Sequence, residues 1–225
     1  MRERAAGDDS GAVADPAAVD LLGLLAYAEL TAFERLADDA RFAPTLEDRA
    51  ALGGMAVAEF GHFRLLHARL TALGVNSDAA MAPFVPALDA FHESTAPGDW
   101  LEGLIKAYVG DGIAADFYRE VASYLDESTR DLVIEVLADT GHAALTVDRV
   151  QAAIAAEPAL AGRLALWARR LVGETLTSAQ RVTADREALA RLIARGRPDP
   201  VTFGRMMGRL TDAHSQRMAS LGLSA

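Results

Sequence analysis

Between Asp15 and Leu221 apolar residues recur at three- and four-residue spacing, strand signals are nearly absent, and proline and glycine gather at only a few points. A chain so patterned folds as helices packed along their apolar stripes. The breaks delimit the helices. Asp15-Pro16 reads as the N-cap and first residue of a helix A that reaches about Ala40. After a short turn at 41–44, the capping-box pattern Thr45-Leu-Glu-Asp48 opens helix B, which ends near Gly74. Residues 75–98 hold three prolines and room for at most a short helix, so they read as a long crossover. Asp99-Trp-Leu-Glu102 opens helix C, ending near Leu125, and Ser128-Thr-Arg-Asp131 caps a helix D that continues to about Ala156. A fifth helix is expected from about Ala159 to Arg195, and a last one after 196–200, ending near Leu221.

Two short-loop hairpins joined by one long crossover is the connectivity of a ferritin-like four-helix bundle. The expected fold class is therefore all-α: two antiparallel helical hairpins and a long crossover, with one or two additional C-terminal helices packed on the bundle. The expected organisation is a disordered tail at 1–14, the bundle at 15–157 and the added helices at 158–225. The absence of cysteine excludes disulfides, iron–sulfur clusters and thiolate catalysis. No uninterrupted apolar run reaches the roughly 18 residues of a membrane span, and the first fourteen residues lack a signal-peptide core. A cytoplasmic chain with no membrane partner is the expectation.

Helix B carries Glu59-Phe-Gly-His62 and helix D carries Asp139-Thr-Gly-His142. Residues three apart share a helical face, so each carboxylate and imidazole can reach one ion. A lone pair of this kind says little; two, each with glycine before the histidine and each on the second helix of a hairpin, say much more. Each first helix should then supply a carboxylate at matching height. Glu29 lies 12 residues before Arg41 and Glu59 lies 13 after Leu46, about 18 and 20 Å along antiparallel helices. Glu34 misses by about two turns. In helix C, Asp111 stands 28 residues before Asp139, close to the 30 separating Glu29 from Glu59. Four carboxylates pointing into a core require cations, and oxygen and imidazole donors without sulfur suit two iron ions, with manganese or zinc as alternatives.

This set resembles the ferritin-like di-iron carboxylate superfamily. The runs LLAYAELTAFERLADDA, KAYVGDGIAADFYREVASYLD and LADTGH further resemble its MiaE-like branch, whose founding members are tRNA hydroxylases acting on 2-methylthio-N6-isopentenyladenosine. The resemblance implies a helix carboxylate followed by Glu-x-x-His, given twice. These fall on Glu29, Glu59 and His62, then on Asp111, Asp139 and His142. It also implies an enzyme that consumes dioxygen, hydroxylates an unactivated C–H bond and takes electrons from an external reductase. Both second-half carboxylates are Asp where the family pattern has Glu, which fits either a retuned or a decayed half-site. A non-catalytic scaffold and a small ferroxidase are the competing readings.

Other features have two readings each. Gly110 and Gly112 flank Asp111 and fit a locally deformed helix or close helix packing. Tyr27 and Tyr108 stand near the proposed ligands, as neighbours of the metal or as core tyrosines. Glu34, Asp116 and Glu135 would become ligands if the register shifted. His67, His92 and His214 have no carboxylate partner at useful spacing and read as structural or exposed. Charge is uneven, with a net −16 over residues 1–159 and +6 over 160–225. The arginine-rich C-terminal third, with Trp167 beside Arg163 and Arg170, fits either contact with tRNA phosphates or a solvated helix face. A homodimer is compatible with the sequence.

Overall fold

The Asp15 carboxylate accepts a 3.0 Å hydrogen bond from the Ala17 amide and so opens α1, Pro16–Asp39, as the Asp-Pro signal predicts. The computed structural model describes residues 14–138, 142–184, 186–195 and 200–225, without the side chains of His142, Pro200, Thr202 and Phe203. Residues 1–13 of the expected N-terminal tail and the 196–199 link lie outside the described residues. A short 3-10 turn, Ala40–Phe42, leads to α2, Leu46–Ala72. Thr45 caps it by accepting from the Asp48 amide at 3.0 Å and donating its hydroxyl to Asp48 Oδ2 at 2.7 Å. Gly74, at φ 73°, follows the C-cap of α2 in the left-handed conformation that stops the helix.

The crossover is more helical than its prolines imply. It forms α3, Ser77–Met81, a 3-10 turn, Ala82–Phe84, and α4, Val85–Ser94. Pro83 and Pro86 sit in first-turn positions, where the missing N–H costs nothing. Helix C is interrupted: α5, Trp100–Ile105, widens into a π-helical segment, Lys106–Asp111, before α6, Gly112–Ala122.

Helix D is not continuous. It divides into α7, Glu127–Val136, and α8, His142–Ala156, and the N-cap of α7 is Asp126 rather than Ser128. Arg119 donates to the Leu137 carbonyl and so caps the end of α7. The described break comes at Leu137 and Ala138, where the Ala138 amide donates to the Glu135 carbonyl at 3.2 Å and tightens the last turn, which the apolar periodicity did not show. The expected fifth helix is likewise two, α9, Leu160–Ala184, and α10, Glu187–Arg195, before α11, Pro200–Ser220.

No strand occurs among the described residues. The largest core joins α1, the C-terminal end of α2, α3, α4, the end of α6, α7 and the facing sides of α9 and α10. A second core joins the π segment to α8, α9 and α11. A third, around Leu36, Leu52 and Leu104, closes the other end of the α1–α2 hairpin. The segment Pro16–Phe42 is long and apolar enough to cross a membrane by length and composition, which counting uninterrupted apolar runs overlooked, and 61% of its apolar window is buried in these cores. The polar middle of α1 therefore lies between apolar ends, and the site forms there.

Candidate metal centre

Glu29 and Glu59 meet at mid-height of the α1–α2 hairpin, and His62, one turn beyond Glu59, joins them. One ligand atom from each lies within 4.8 Å of the others. His62 Nδ1 is 3.2 Å from Glu59 Oε2 and 3.5 Å from Glu29 Oε2. The second approach lacks hydrogen-bond geometry, and Glu29 Oε2 is buried without a hydrogen-bond partner. A buried carboxylate oxygen left bare beside a second carboxylate is an unfavourable arrangement that a cation would relieve. Ligand atoms bound to one ion at about 2.1 Å stand at most about 4.2 Å apart, so the three side chains fit an ion with a small closure.

The electrostatics agree. Burial holds the Glu29 carboxyl well above the usual carboxylate range, with Glu59 pushing it further and His62 opposing. The two carboxylates, Glu29 first, raise His62 to about 10. At neutral pH the imidazole thus carries a proton that a metal must expel. We expect metal binding to release about one proton at pH 7, and apparent affinity to rise nearly tenfold per pH unit until His62 titrates. Calorimetry in buffers of different ionisation enthalpy measures the release.

Asp111, at the end of the π segment, lines the same cavity as the three. Its accessible surface faces that cavity, and burial among protein raises its carboxyl to about 7, with Glu59 adding to the rise and Lys106 and Arg35 opposing it. The paired Asp139 lies outside the described residues, and so does the side chain of His142. Both readings of the glycines find a place. The helix is deformed over Lys106–Asp111, and a Cβ on Gly112 would lie 2.6 Å from Arg217 Nε of α11.

The alternative ligands stand elsewhere. Glu34 and Glu135 are exposed, and Asp116 pairs with Arg119 at 3.0 Å and with Arg217. The Tyr27 hydroxyl donates to Asp89 at 2.6 Å, away from the centre, while Tyr108 lines the cavity and packs on the second core. One tyrosine under the influence of these carboxylates was missed in sequence reading. Tyr118 lines the cavity, and burial and then the charges of Asp111 and Glu29 raise its hydroxyl pKa. Its position seven residues after Asp111, two turns along one helix face, was the available signal.

The cavity, about 860 Å³, runs along α1 from Leu21 to Asp39 and is walled by α4, the π segment, α6, α9 and α10. His92, expected to be structural or exposed, is 9% exposed and lines it. Burial, followed by the charges of Arg35 and Lys106, depresses its pKa to about 2. The folded form keeps His92 neutral, whereas the unfolded chain protonates it below its ordinary value of 6.5. This contribution to stability is therefore lost as pH falls from 6.5 toward 2. Between pH 7 and pH 5 the loss should be about 2 kcal/mol by denaturant unfolding, and His92→Phe should lack it.

Trp167 donates its indole N–H to the Glu102 carbonyl at 2.9 Å, and Arg163 pairs with Asp99 at 2.7 Å and Glu102 at 2.5 Å. The Trp167 patch thus belongs to helix packing. Arg186, Arg209 and Arg217 pair with Asp20, Glu120 and Asp116, so the basic C-terminal third partly neutralises the acidic first part.

An all-helical bundle with two glutamates and a histidine converging beside a large cavity defines a ferritin-like protein with a candidate metal centre. The chain belongs to the ferritin-like domain family of actinomycetes, whose model matches residues 13–196. No curated protein matches it.

Proposed function

We propose that this protein is a non-haem di-iron oxygenase that uses dioxygen to hydroxylate an unactivated C–H bond of a molecule held in the cavity. The observation that carries this reading is the bare, buried Glu29 Oε2 beside Glu59 and His62 on the cavity wall. Glu29, Glu59 and His62 would hold the first ion. Asp111, with Asp139 and His142 by the sequence pattern, would hold the second. Iron bound there supplies dioxygen activation and the oxidising power for C–H cleavage, with manganese or zinc as the alternative occupants. The protein's own share is to keep water from the target carbon along the apolar wall and to fix the ligating carboxylates and imidazole in place. Electrons would come from a separate reductase.

The narrower form of the proposal, drawn from the MiaE-like resemblance, has a modified tRNA adenosine as substrate. Phosphate contact through Arg163, Arg186, Arg209 or Arg217 would require each to exchange a carboxylate partner. Nucleosides from cells with and without the protein, compared by mass spectrometry, test this form, and an unchanged hydroxylated-adenosine peak ends it.

Metal content and anomalous scattering at the iron edge, after iron-replete expression, test the broader form. The expected result is iron between α1 and α2 and near Asp111. Less than half an equivalent of any transition metal would favour the scaffold reading instead. A ferroxidase store would have to assemble into a large hollow shell, which light scattering detects.

A further inference from the structure

The side of α2 that faces away from the bundle is as apolar as the side that faces in. Opposite the buried Leu52, Ala56, Leu66 and Leu70 stand Leu46, Ala50, Gly54, Val57, Gly61 and Leu65, all exposed. Leu46 is 79% and Val57 70% exposed, and among the described residues nothing lies within 4 Å of a Cβ built at Gly54 or Gly61. A helix with core on one side and water on the other carries charge on its water side, whereas a helix that is apolar all round is a buried one. The outward face of α2 therefore lacks a cover.

Two charges on that face identify the cover. Within about 60° of the outward direction, at 3.6 residues per turn, the charged residues are Glu47 and Arg64 alone. They are opposite in sign and 17 residues apart, about 25 Å along the helix. Arg64 is exposed, with no hydrogen bond or ion pair to any described residue. The exposed Glu47 reaches Arg149 only at 3.9 Å, and that guanidinium is already held by Asp48 at 2.5 Å. A second α2 laid antiparallel about a two-fold axis between residues 55 and 56 sets each position beside the one equally far from the axis. Glu47 then meets Arg64 of the partner subunit, Leu46 meets Leu65 of the partner subunit, Ala50 meets Gly61 of the partner subunit and Val57 meets Gly54 of the partner subunit, each pair occurring twice. The small members of the last two pairs leave room for close approach. A parallel arrangement would instead set Glu47 against its own copy and Arg64 against its own.

We propose that two copies of this chain associate through α2, antiparallel about this axis, as a homodimer. Glu59 and His62 point toward Glu29 on α1 and stay outside the contact, so the proposal is independent of metal and of the function proposed above.

Sedimentation velocity of the full-length chain between about 1 and 100 µM tests it. One helix face is a small interface, so the dissociation constant should be about micromolar, and the mass should rise across this range from 23.8 kDa to twice that value. Val57→Glu adds a charge where the single chain has open space, and should leave the circular dichroism unchanged while weakening association about 100-fold. Glu47→Arg and Arg64→Glu set like charges against each other and should each weaken it about tenfold. An equimolar mixture of these two variants should dimerise as the unaltered chain does, because in the mixed pair every charge again meets its opposite. Recovery on mixing also excludes misfolding as the cause of the single losses. A monomer at about 100 µM, a dimer that Val57→Glu leaves intact, or a mixture that does not recover overturns the proposal. So does a monomer that floats with phosphatidylcholine vesicles, which would assign the face to a membrane.

Discussion

Glu59→Ala should empty the centre, lowering metal affinity by more than about 100-fold, whereas Glu34→Ala should leave the metal content unchanged. Glu59 contributes a carboxylate to the cluster and stands next to His62 at 3.2 Å; Glu34, five residues from Glu29, is exposed. Stability separates the loss from misfolding. Removing Glu59 relieves the pressure it puts on the buried Glu29 but gives up its ion pair with His62, so a chain that still melts cooperatively without metal has lost a ligand and not its fold. Metal analysis alongside thermal melts checks both. If Glu34→Ala alone strips the metal, the register assigned to α1 is wrong.

Gly23→Ala should be the most destabilising single-methyl addition in the bundle. A Cβ at Gly23 would fall on the Ala80 carbonyl oxygen, 2.7 Å from the carbonyl carbon and 3.2 Å from the Ala80 Cβ. The obstacle is backbone of α3, which cannot rotate aside as a side chain can. Overpacking of this kind costs about 2–3 kcal/mol, or about 5–10 °C in melting temperature for a chain this long. Gly54→Ala provides the contrast. It adds the same methyl to α2, where nothing lies within 4 Å, and should stabilise by about 0.5–1 kcal/mol. Paired thermal melts decide, and equal effects at the two positions would show that helix propensity, not the α1–α3 contact, sets the outcome.

The caps at Asp15, Thr45 and Asp99 were legible because each is a local bargain between one side chain and amides two or three residues on. The Glu29–Glu59–His62 convergence was legible for a related reason: antiparallel helices with a constant rise turn residue counts from the loop into heights. The same arithmetic fails where rise and continuity fail. The π segment changes the residues per turn just before Asp111, and α7 ends at Val136 instead of running into α8. The second half-site could not be read as simply as the first.

What this sequence determined alone was a helical bundle and the three side chains that meet between α1 and α2, because hydrophobic period, capping and helical rise act over a few residues. Tertiary structure decided the cavity, the burial of His92 in its wall and the partners of the C-terminal arginines. Thr31 and His92 lie 61 residues apart and Asp116 and Arg217 101 apart. Which of many carboxylates or hydroxyls such groups meet depends on how whole helices pack, and no local rule carries that information.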